Sequence, residues 1–397
     1  MKTLLISEGS GGHLVPALEL ASTLAASGSE VHLWYARRKR IQRLVDPLLK
    51  PAEAHGVRVE PIDITHSGKS LERIKEGLAF VGRSRRFMQA FRPDVVIGFG
   101  GWVSAPVLLA ARSLGIRTLL HEQNRIMGRT NRILARFANG VALSFPDTRK
   151  VPFGARTVVS GMPVRRAFLD AATAEPQPER FGLIRERTTI AVLGGSQGAQ
   201  AINRLMMEAA QRMTTEEKMA WQILHIAGPE AAKVARDHYA ECGVRSWVGT
   251  FCEEMDAVYA MADVVVSRAG ASTLAELMAS GKPAILVPYP FAHGHQSVNA
   301  AWLSERELAV VRAESGITPE TLLEDLRTLI QNPERRRRMQ EALLRGVPRN
   351  AAERLALTAR SMASGQWPTF RETWKEESNR EEDRFSHDRR IVAADAH

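Results

Sequence analysis

The chain has 397 residues, a formal net charge of +10, 44% hydrophobic and 25% charged residues. That length suits two domains, because single cores rarely grow beyond about 250–300 residues, and the composition is that of a soluble globular protein. The basic excess calls for an anionic partner, such as nucleic acid, an anionic membrane or a phosphorylated substrate. Cys242 and Cys252 are the only cysteines and form no CxxC or metal spacing, which fits a reducing compartment. No apolar run nears the roughly 20 residues of a membrane span, and the start is too short for a signal peptide.

In chain order, Lys2 to Ser7 reads as a buried strand running into Glu8-Gly9-Ser10-Gly11-Gly12-His13, with a helix starting at Pro16. A strand, a glycine loop and a helix allow close backbone approach to a phosphate or reactive group. Leu14 breaks the G-x-G-x-x-G spacing, so a nicotinamide oxidoreductase is not supported. A lone histidine is usually structural, but His13 stands at the tip of a strand-end loop, where a proton acceptor is better placed. Glu30 to Tyr35 is a second strand, and the basic run Arg37 to Arg40 after it reads as solvated surface. Lys69 to Arg92 carries seven Lys/Arg against two Glu, with Leu71, Ile74, Leu78, Val81 and Phe87 near helical spacing. It reads either as a core-facing helix with a basic outer side or as an amphipathic surface for an anionic membrane.

Asp94 to Ile97 is a strand ending in Gly98-Phe99-Gly100-Gly101-Trp102, and Thr118 to Leu120 is a strand that delivers His121-Glu122-Gln123-Asn124. Four polar residues directly after a buried strand are poor core material and point to a site. Gly128 and Asn131 follow at a helix start. Ser160 to Arg165 reads as a hinge-like turn. The architecture then begins again, with a strand at Thr189 to Leu193, the loop Gly194-Gly195-Ser196-Gln197-Gly198 and a helix from Ala201. Further strands follow at Gln222 to Ala227 and Val244 to Val248, and a helix ends near Tyr259. Val264 to Val266 is a strand, Arg268 to Ala271 a small-residue turn, and Ser272 or Thr273 a cap for the helix after it. Its free N–H groups and dipole make a seat for phosphate, and Glu276, a turn further in, is placed to accept from a ribose diol. His293-Gly294-His295-Gln296 returns polar groups to the same strand ends. Alone, this stretch is an ordinary βαβ unit. Alternating strands and helices in both halves predict two parallel sheets with sites at the strand carboxyl ends.

Taken together and in order, Gly9 to His13, Gly100 to Pro106, His121 to Asn124, Gly194 to Ala199, Ser267 to Glu276 and Gln296 to Asn299 resemble the MurG family of N-acetylglucosaminyltransferases, over about Lys2 to Ala363. The resemblance implies an α/β glycosyltransferase B fold of two Rossmann-like domains facing a central cleft. It implies transfer of GlcNAc from UDP-GlcNAc to the 4-hydroxyl of undecaprenyl-pyrophosphoryl-MurNAc-pentapeptide, with inversion, in peptidoglycan synthesis. The enzyme would be peripheral on the cytoplasmic face of the membrane, with an anionic membrane surface and other cell-wall synthesis proteins as partners. By motif position, Ser10, Gly11, Gly12 and Asn124 would approach the donor, and Arg165 and Cys252 would lie near uracil. Ser196 and the turn Ala271, Ser272 and Thr273 would hold the diphosphate, Glu276 the ribose, and Gln296 the sugar hydroxyls, with Arg268, Leu274, Ala275 and Asn299 also at the UDP-GlcNAc site. Glu8, Met162 and His295 depart from the usual family pattern.

The implied domains are 1–160 for the acceptor and membrane, 161–182 as linker, 183–344 for UDP-GlcNAc, 345–364 as a helix returning to the first domain, and 365–397 as a disordered tail. No D-x-D stands at a strand end to hold a divalent metal, so no metal or cofactor is expected. A helix N-terminus plus Arg268 would supply the positive field. His13 is the first choice as general base, Glu122 the second, and Asn124 orients a hydroxyl. Another UDP-sugar enzyme of the same fold, a glycolipid synthase or an epimerase, is the alternative. A nucleic-acid binder would rest on charge alone, since aromatics are 6% of the chain and scattered.

Overall fold

The structure is a computed structural model, and it describes residues 1–9, 11–37, 42–63, 70–194, 199–291, 294–346 and 348–368. Short runs of aliphatic and β-branched residues become strands buried on both faces, as parallel sheets covered by helices require. In the first domain, β1 (Lys2–Ser7), α1 (Gly11–Ala26), β2 (Glu30–Ala36), α2 (Gln42–Ala54), β3 (Arg58–Ile62), α3 (Ser70–Phe91) and β4 (Val95–Gly98) are followed by α4 (Ser104–Ser113), β5 (Arg117–Glu122), α5 (Arg129–Leu134), β6 (Gly140–Leu143) and β7 (Thr157–Val159). The seven strands form a parallel sheet in the order β3-β2-β1-β4-β5-β6-β7.

A short helix α6 (Arg166–Asp170) and a 3-10 turn (Pro178–Phe181) lead to the second domain. There β8 (Thr188–Leu193), α7 (Gln200–Gln211), α8 (Thr215–Ala220), β9 (Trp221–Ile226), α9 (Ala232–Glu241), β10 (Ser246–Gly249) and α10 (Met255–Met261) precede β11 (Val264–Ser267), α11 (Ala271–Ser280), β12 (Ala284–Leu286), α12 (His295–Ser304) and β13 (Val310–Val311). The six strands are again parallel, in the order β10-β9-β8-β11-β12-β13. Three helices close the described chain: α13 (Pro319–Ile330), α14 (Pro333–Arg345) and α15 (Ala351–Ala363). Leu355, Ala356, Ala359 and Met362 of α15 join the core of the first domain beside α1.

In both sheets the strand order reverses beside the first strand, between β1 and β4 and between β8 and β11. Loops leaving such a switch point part in opposite directions and open a crevice at the strand carboxyl ends. The turns after β1, β4 and β11 read from sequence fall at these ends, and residues 195–198 after β8 lie outside the described residues.

Some elements differ from the sequence reading. Helix α1 begins at Gly11, and Pro16 lies inside it rather than at its first turn. Helix α2 contains Pro47 and Pro51, and β3 contains Pro61 at the sheet edge, so prolines hid both elements. On α3 the apolar residues do not share one side: Val81 and Phe87 pack on the core around Trp34, whereas Leu78 is 67% exposed. The tail does not start at Gly365, because Trp367 packs against Gly140 with Arg156 over its ring. The stretches Arg38 to Arg40 and 369–397 lie outside the described residues, as do Lys69 and the side chains of Leu71 and Ile74.

Candidate active site

The first wall of the cleft is built by glycine turns. A Cβ on Gly9 would lie 2.0 Å from the Ala36 carbonyl oxygen, so β1 can leave the sheet there only as glycine. Gly11 and Gly12 open α1, and apart from chain neighbours and the helix's own backbone no atom of the described residues stands within 4 Å of where their Cβ atoms would be. His13 follows in the same first turn. The turn after β4 meets it: a Cβ on Gly100 would lie 3.3 Å from the His13 imidazole. Gly100 and Gly101 both have positive φ, +86° and +78°. Glu8, the departure from the family pattern, fills the space beneath Gly101 and accepts from the Trp102 N–H at 3.2 Å. It joins the first turn to the second.

The polar run after β5 divides into framework and surface. His121 is fully buried; its Nε2 lies 3.1 Å from the Gly161 carbonyl and its Nδ1 3.2 Å from Gln123 Nε2. Burial holds its pKa down at about 4. Its neutral ring therefore donates from Nε2 and accepts at Nδ1. Glu122, expected as an alternative base, is 1% exposed. Its Oε1 accepts from the Asn124 N–H and amide, and its Oε2 from the Gly128 N–H and Asn131 Nδ2. A buried carboxylate bound by four donors holds a loop and has no free path to a substrate proton, which corrects that assignment. Asn124 is half-buried at the cleft edge.

The second wall is the start of α11. Gly270, not Ser272 or Thr273, is the N-cap, and no side chain caps the helix. The first turn also carries no acid, so its N–H groups and the half-exposed Ala271, Ser272 and Thr273 are left for an anion. The side chains of Leu274 and Ala275 point into the core, leaving their backbone alone for a ligand. Glu276 is half-buried, and its Oε2 accepts from the Tyr259 hydroxyl at 3.0 Å. Burial pushes its carboxyl up to about 7, against the pull of Arg165 and of the Tyr259 hydroxyl. Arg165, the N-cap residue of α6, stacks on Phe168 at 4.6 Å and acts on Glu276 and on Glu19 of α1. Its charge thus favours the ionised form of a carboxyl in each domain.

Two residues expected at the ligand are used otherwise, and a third is used in part. Arg268 pairs with Glu314, donates to the Val287 carbonyl and lies over the Tyr289 ring, so its charge is already matched. Asn299 is fully buried; its Oδ1 accepts from the Arg125 N–H and its Nδ2 donates to Asn124 Oδ1. It joins the domains instead of facing a sugar. Gln296 spends its Oε1 on the Ala269 and Tyr289 N–H groups. Cys252 is half-buried after β10, and burial raises its thiol pKa. Ser10, Ser196 and His293 lie outside the described residues. Sequence reasoning missed Tyr259, Arg125 and Glu19. Extending the polar run after β5 by one residue would have found Arg125; nothing local marks the other two.

Two parallel-sheet domains with glycine turns and a bare helix N-terminus at their strand carboxyl ends define a nucleotide-sugar glycosyltransferase of the B fold. Both halves match the models of glycosyltransferase family 28, the N-terminal domain over residues 3–143 and the C-terminal domain over 189–355. The chain is 37% identical over 370 residues to the UDP-N-acetylglucosamine–N-acetylmuramyl-(pentapeptide) pyrophosphoryl-undecaprenol N-acetylglucosamine transferase of Syntrophotalea carbinolica, covering 91% of this chain and 99% of that one. It is 38% identical over 337 residues to the transferase of the same name from Chromohalobacter salexigens, covering 83% and 88%. The crystal structure of Acinetobacter baumannii MurG superposes with a TM-score of 0.71 at 29% identity, covering 91% of this chain and 99% of that one. The chain belongs to the MurG family.

Proposed function

We propose that the cleft passes GlcNAc from UDP-GlcNAc to the 4-hydroxyl of a lipid-linked muramoyl-pentapeptide, with residues 183–344 holding the donor, 1–160 facing the acceptor and 161–182 joining them. The observation that carries this reading is the uncapped, acid-free start of α11 with Glu276 one turn behind it. Its N–H groups take the diphosphate, and Glu276 accepts from the ribose diol. Arg165, whose charge acts on Glu276, takes the place of Arg268 as the cation. Opposite, the open space over Gly11 and Gly12 admits the sugar, with His13 at its edge.

In the reaction the acceptor oxygen bonds to the anomeric carbon while the bond from that carbon to the diphosphate oxygen breaks. The electron pair leaves with UDP, where the helix N-terminus meets the new charge. The hydroxyl proton passes to the His13 imidazole. Attack from the face opposite the leaving group inverts the anomeric centre. Asn124 orients the incoming hydroxyl or the sugar, and the Nε2 of Gln296 is available to a sugar oxygen. Cys252 lies near the uracil.

The lipid acceptor stays in a bilayer, and among the described residues no helix is long and apolar enough to cross one. The same reading has the enzyme work peripherally, on the cytoplasmic leaflet. The test is transfer of label from radiolabelled UDP-GlcNAc to the lipid-linked muramoyl acceptor. An epimerase would convert UDP-GlcNAc with no acceptor present. Label that never enters lipid, or sugar conversion without acceptor, would overturn the proposal.

A further inference from the structure

Arg125 directly follows the polar run after β5 and is 4% exposed. Its Nε and Nη2 donate to Asp147 Oδ2 at 3.0 and 2.6 Å, within its own domain. Its Nη1 and Nη2 donate to Glu305 Oε1 and Oε2 at 3.1 and 2.8 Å, in the other domain. The two-pronged grip on Glu305 fixes direction as well as distance. Beside it, the Arg125 N–H donates to Asn299 Oδ1 at 2.9 Å, and Asn299 returns a bond to Asn124 at 3.0 Å. Phe145 and Trp302 meet edge to face at 5.5 Å, adding an apolar contact between the same two domains.

Glu305 and Asn299 both belong to α12, as its C-cap residue and its interior. The other end of α12 carries Gln296, which fastens the loops after β11 and β12. A helix of 10 residues is about 15 Å long and stiff. Fixing one end therefore sets the place of the other.

We infer that Arg125 is a positioning residue, its guanidinium clamped between Asp147 and Glu305 so that α12 is held against the ends of β5 and β6 and the cleft keeps the separation across which the sugar passes. The guanidinium touches no reacting atom; it acts through Asn124 on one wall and α12 on the other. Its carboxylate partners are 38% and 47% exposed, so the clamp can open to water and is weakened by salt.

The test uses the full chain with Glu305→Gln, Arg125→Lys and Arg125→Ala. Glu305→Gln alters a half-exposed side chain at a helix end and leaves the core untouched. The expected result is UDP affinity within about twofold of the parent, because the donor is held by one domain. Turnover falls by roughly tenfold to a hundredfold, since an ångström of misplacement has that cost. Small-angle scattering shows a larger radius of gyration, with Arg125→Lys between parent and Arg125→Ala. Salt reproduces the opening in the parent and adds little in the variants. The kinetic arm rests on the transfer reading above, whereas the scattering arm needs no substrate and separates a failure of one from a failure of the other. Unchanged scattering in all three folded variants overturns the inference, with or without a loss of turnover. So does a loss of UDP affinity as steep as the loss of turnover.

Discussion

In the proposed reaction His13 and Glu276 divide the work of the cleft, one handling a proton and the other a hydroxyl pair, and each makes a separate prediction. His13→Ala should lower kcat by about 10²–10⁴ while UDP affinity changes little. A near-normal kcat in steady-state assays would move the base role to solvent, because Glu122 is bound by four donors. Glu276 carries a cost that the site needs. Its carboxyl rises from an ordinary 4.5 to about 7 because of burial. Between those values the folded protein holds a proton that the unfolded chain has lost, so this contribution is fully present below about 4.5 and is lost as pH rises through about 7. Glu276→Gln should therefore stabilise the ligand-free enzyme at pH 8, on the order of 3 kcal/mol, and leave it near parent at pH 5. Donor affinity of the parent should weaken as pH falls through 7, because the diol needs the ionised carboxylate. In the variant it should be low throughout. Equal melting temperatures at pH 8, or donor binding unaffected by the substitution, would remove Glu276 from this role. The position of Glu276 was legible because its spacing from a strand-end turn is fixed by the helix. Arg268 and Asn299 were misread for the converse reason: a sequence shows the residue type but not the distant partner, Glu314 or Arg125, that consumes it.

The glycine turns act as elements, and their members differ in what a methyl group would meet. Gly9→Ala drives a Cβ into the Ala36 carbonyl, and Gly101→Ala combines positive φ with a contact 2.1 Å from Glu8. Both should lower the melting temperature. Gly11→Ala and Gly12→Ala fill empty space at the start of a helix, so they should leave stability equal or raised by up to about 1 kcal/mol. Catalytic efficiency should nevertheless fall, because in the proposed reaction that space admits the incoming sugar. Thermal melting set beside kcat/KM decides it: alanine at either position with full activity would show that the opening is not used. The turns themselves could be read from sequence, since a buried strand followed by glycine and a helix has few other structures. Boundaries were less legible where proline misled. Pro16 resembles a first-turn residue yet sits within α1, and α2 tolerates Pro47 and Pro51. Tertiary packing along the rest of each helix outweighs the lost backbone bonds.

At the scale of the whole molecule, one face of the first domain is both basic and apolar. Helix α3 turns Phe80, Val81, Phe87 and Met88 to the core, and leaves Lys75, Leu78, Arg85 and Arg86 outward. The neighbouring α4 adds Leu109, at 48% exposure, and Arg112, with Arg85 bonded to Ser113 at 2.9 Å. Beyond it, α5 and the residues after it expose Ile133 and Phe137 at 57% and 55%, near Arg129 and Arg136. Large apolar side chains ringed by cations suit the boundary of an anionic leaflet, where each basic residue contributes about 1 kcal/mol and apolar groups enter the headgroups. The core-facing reading of α3 therefore holds in part, with its apolar residues shared between core and surface, and contact of the exposed side with a membrane is a proposal. Changing Arg83, Arg85 and Arg86 together to Glu should weaken sedimentation with anionic vesicles while melting temperature and UDP affinity stay near parent. Ile133→Ser with Phe137→Ser should weaken it as well, and that loss should persist at high salt. Parent binding should fall with salt, since attraction between exposed charges reaches about 8–10 Å near physiological ionic strength. If both variants sediment like the parent, the enzyme meets its lipid acceptor with another face.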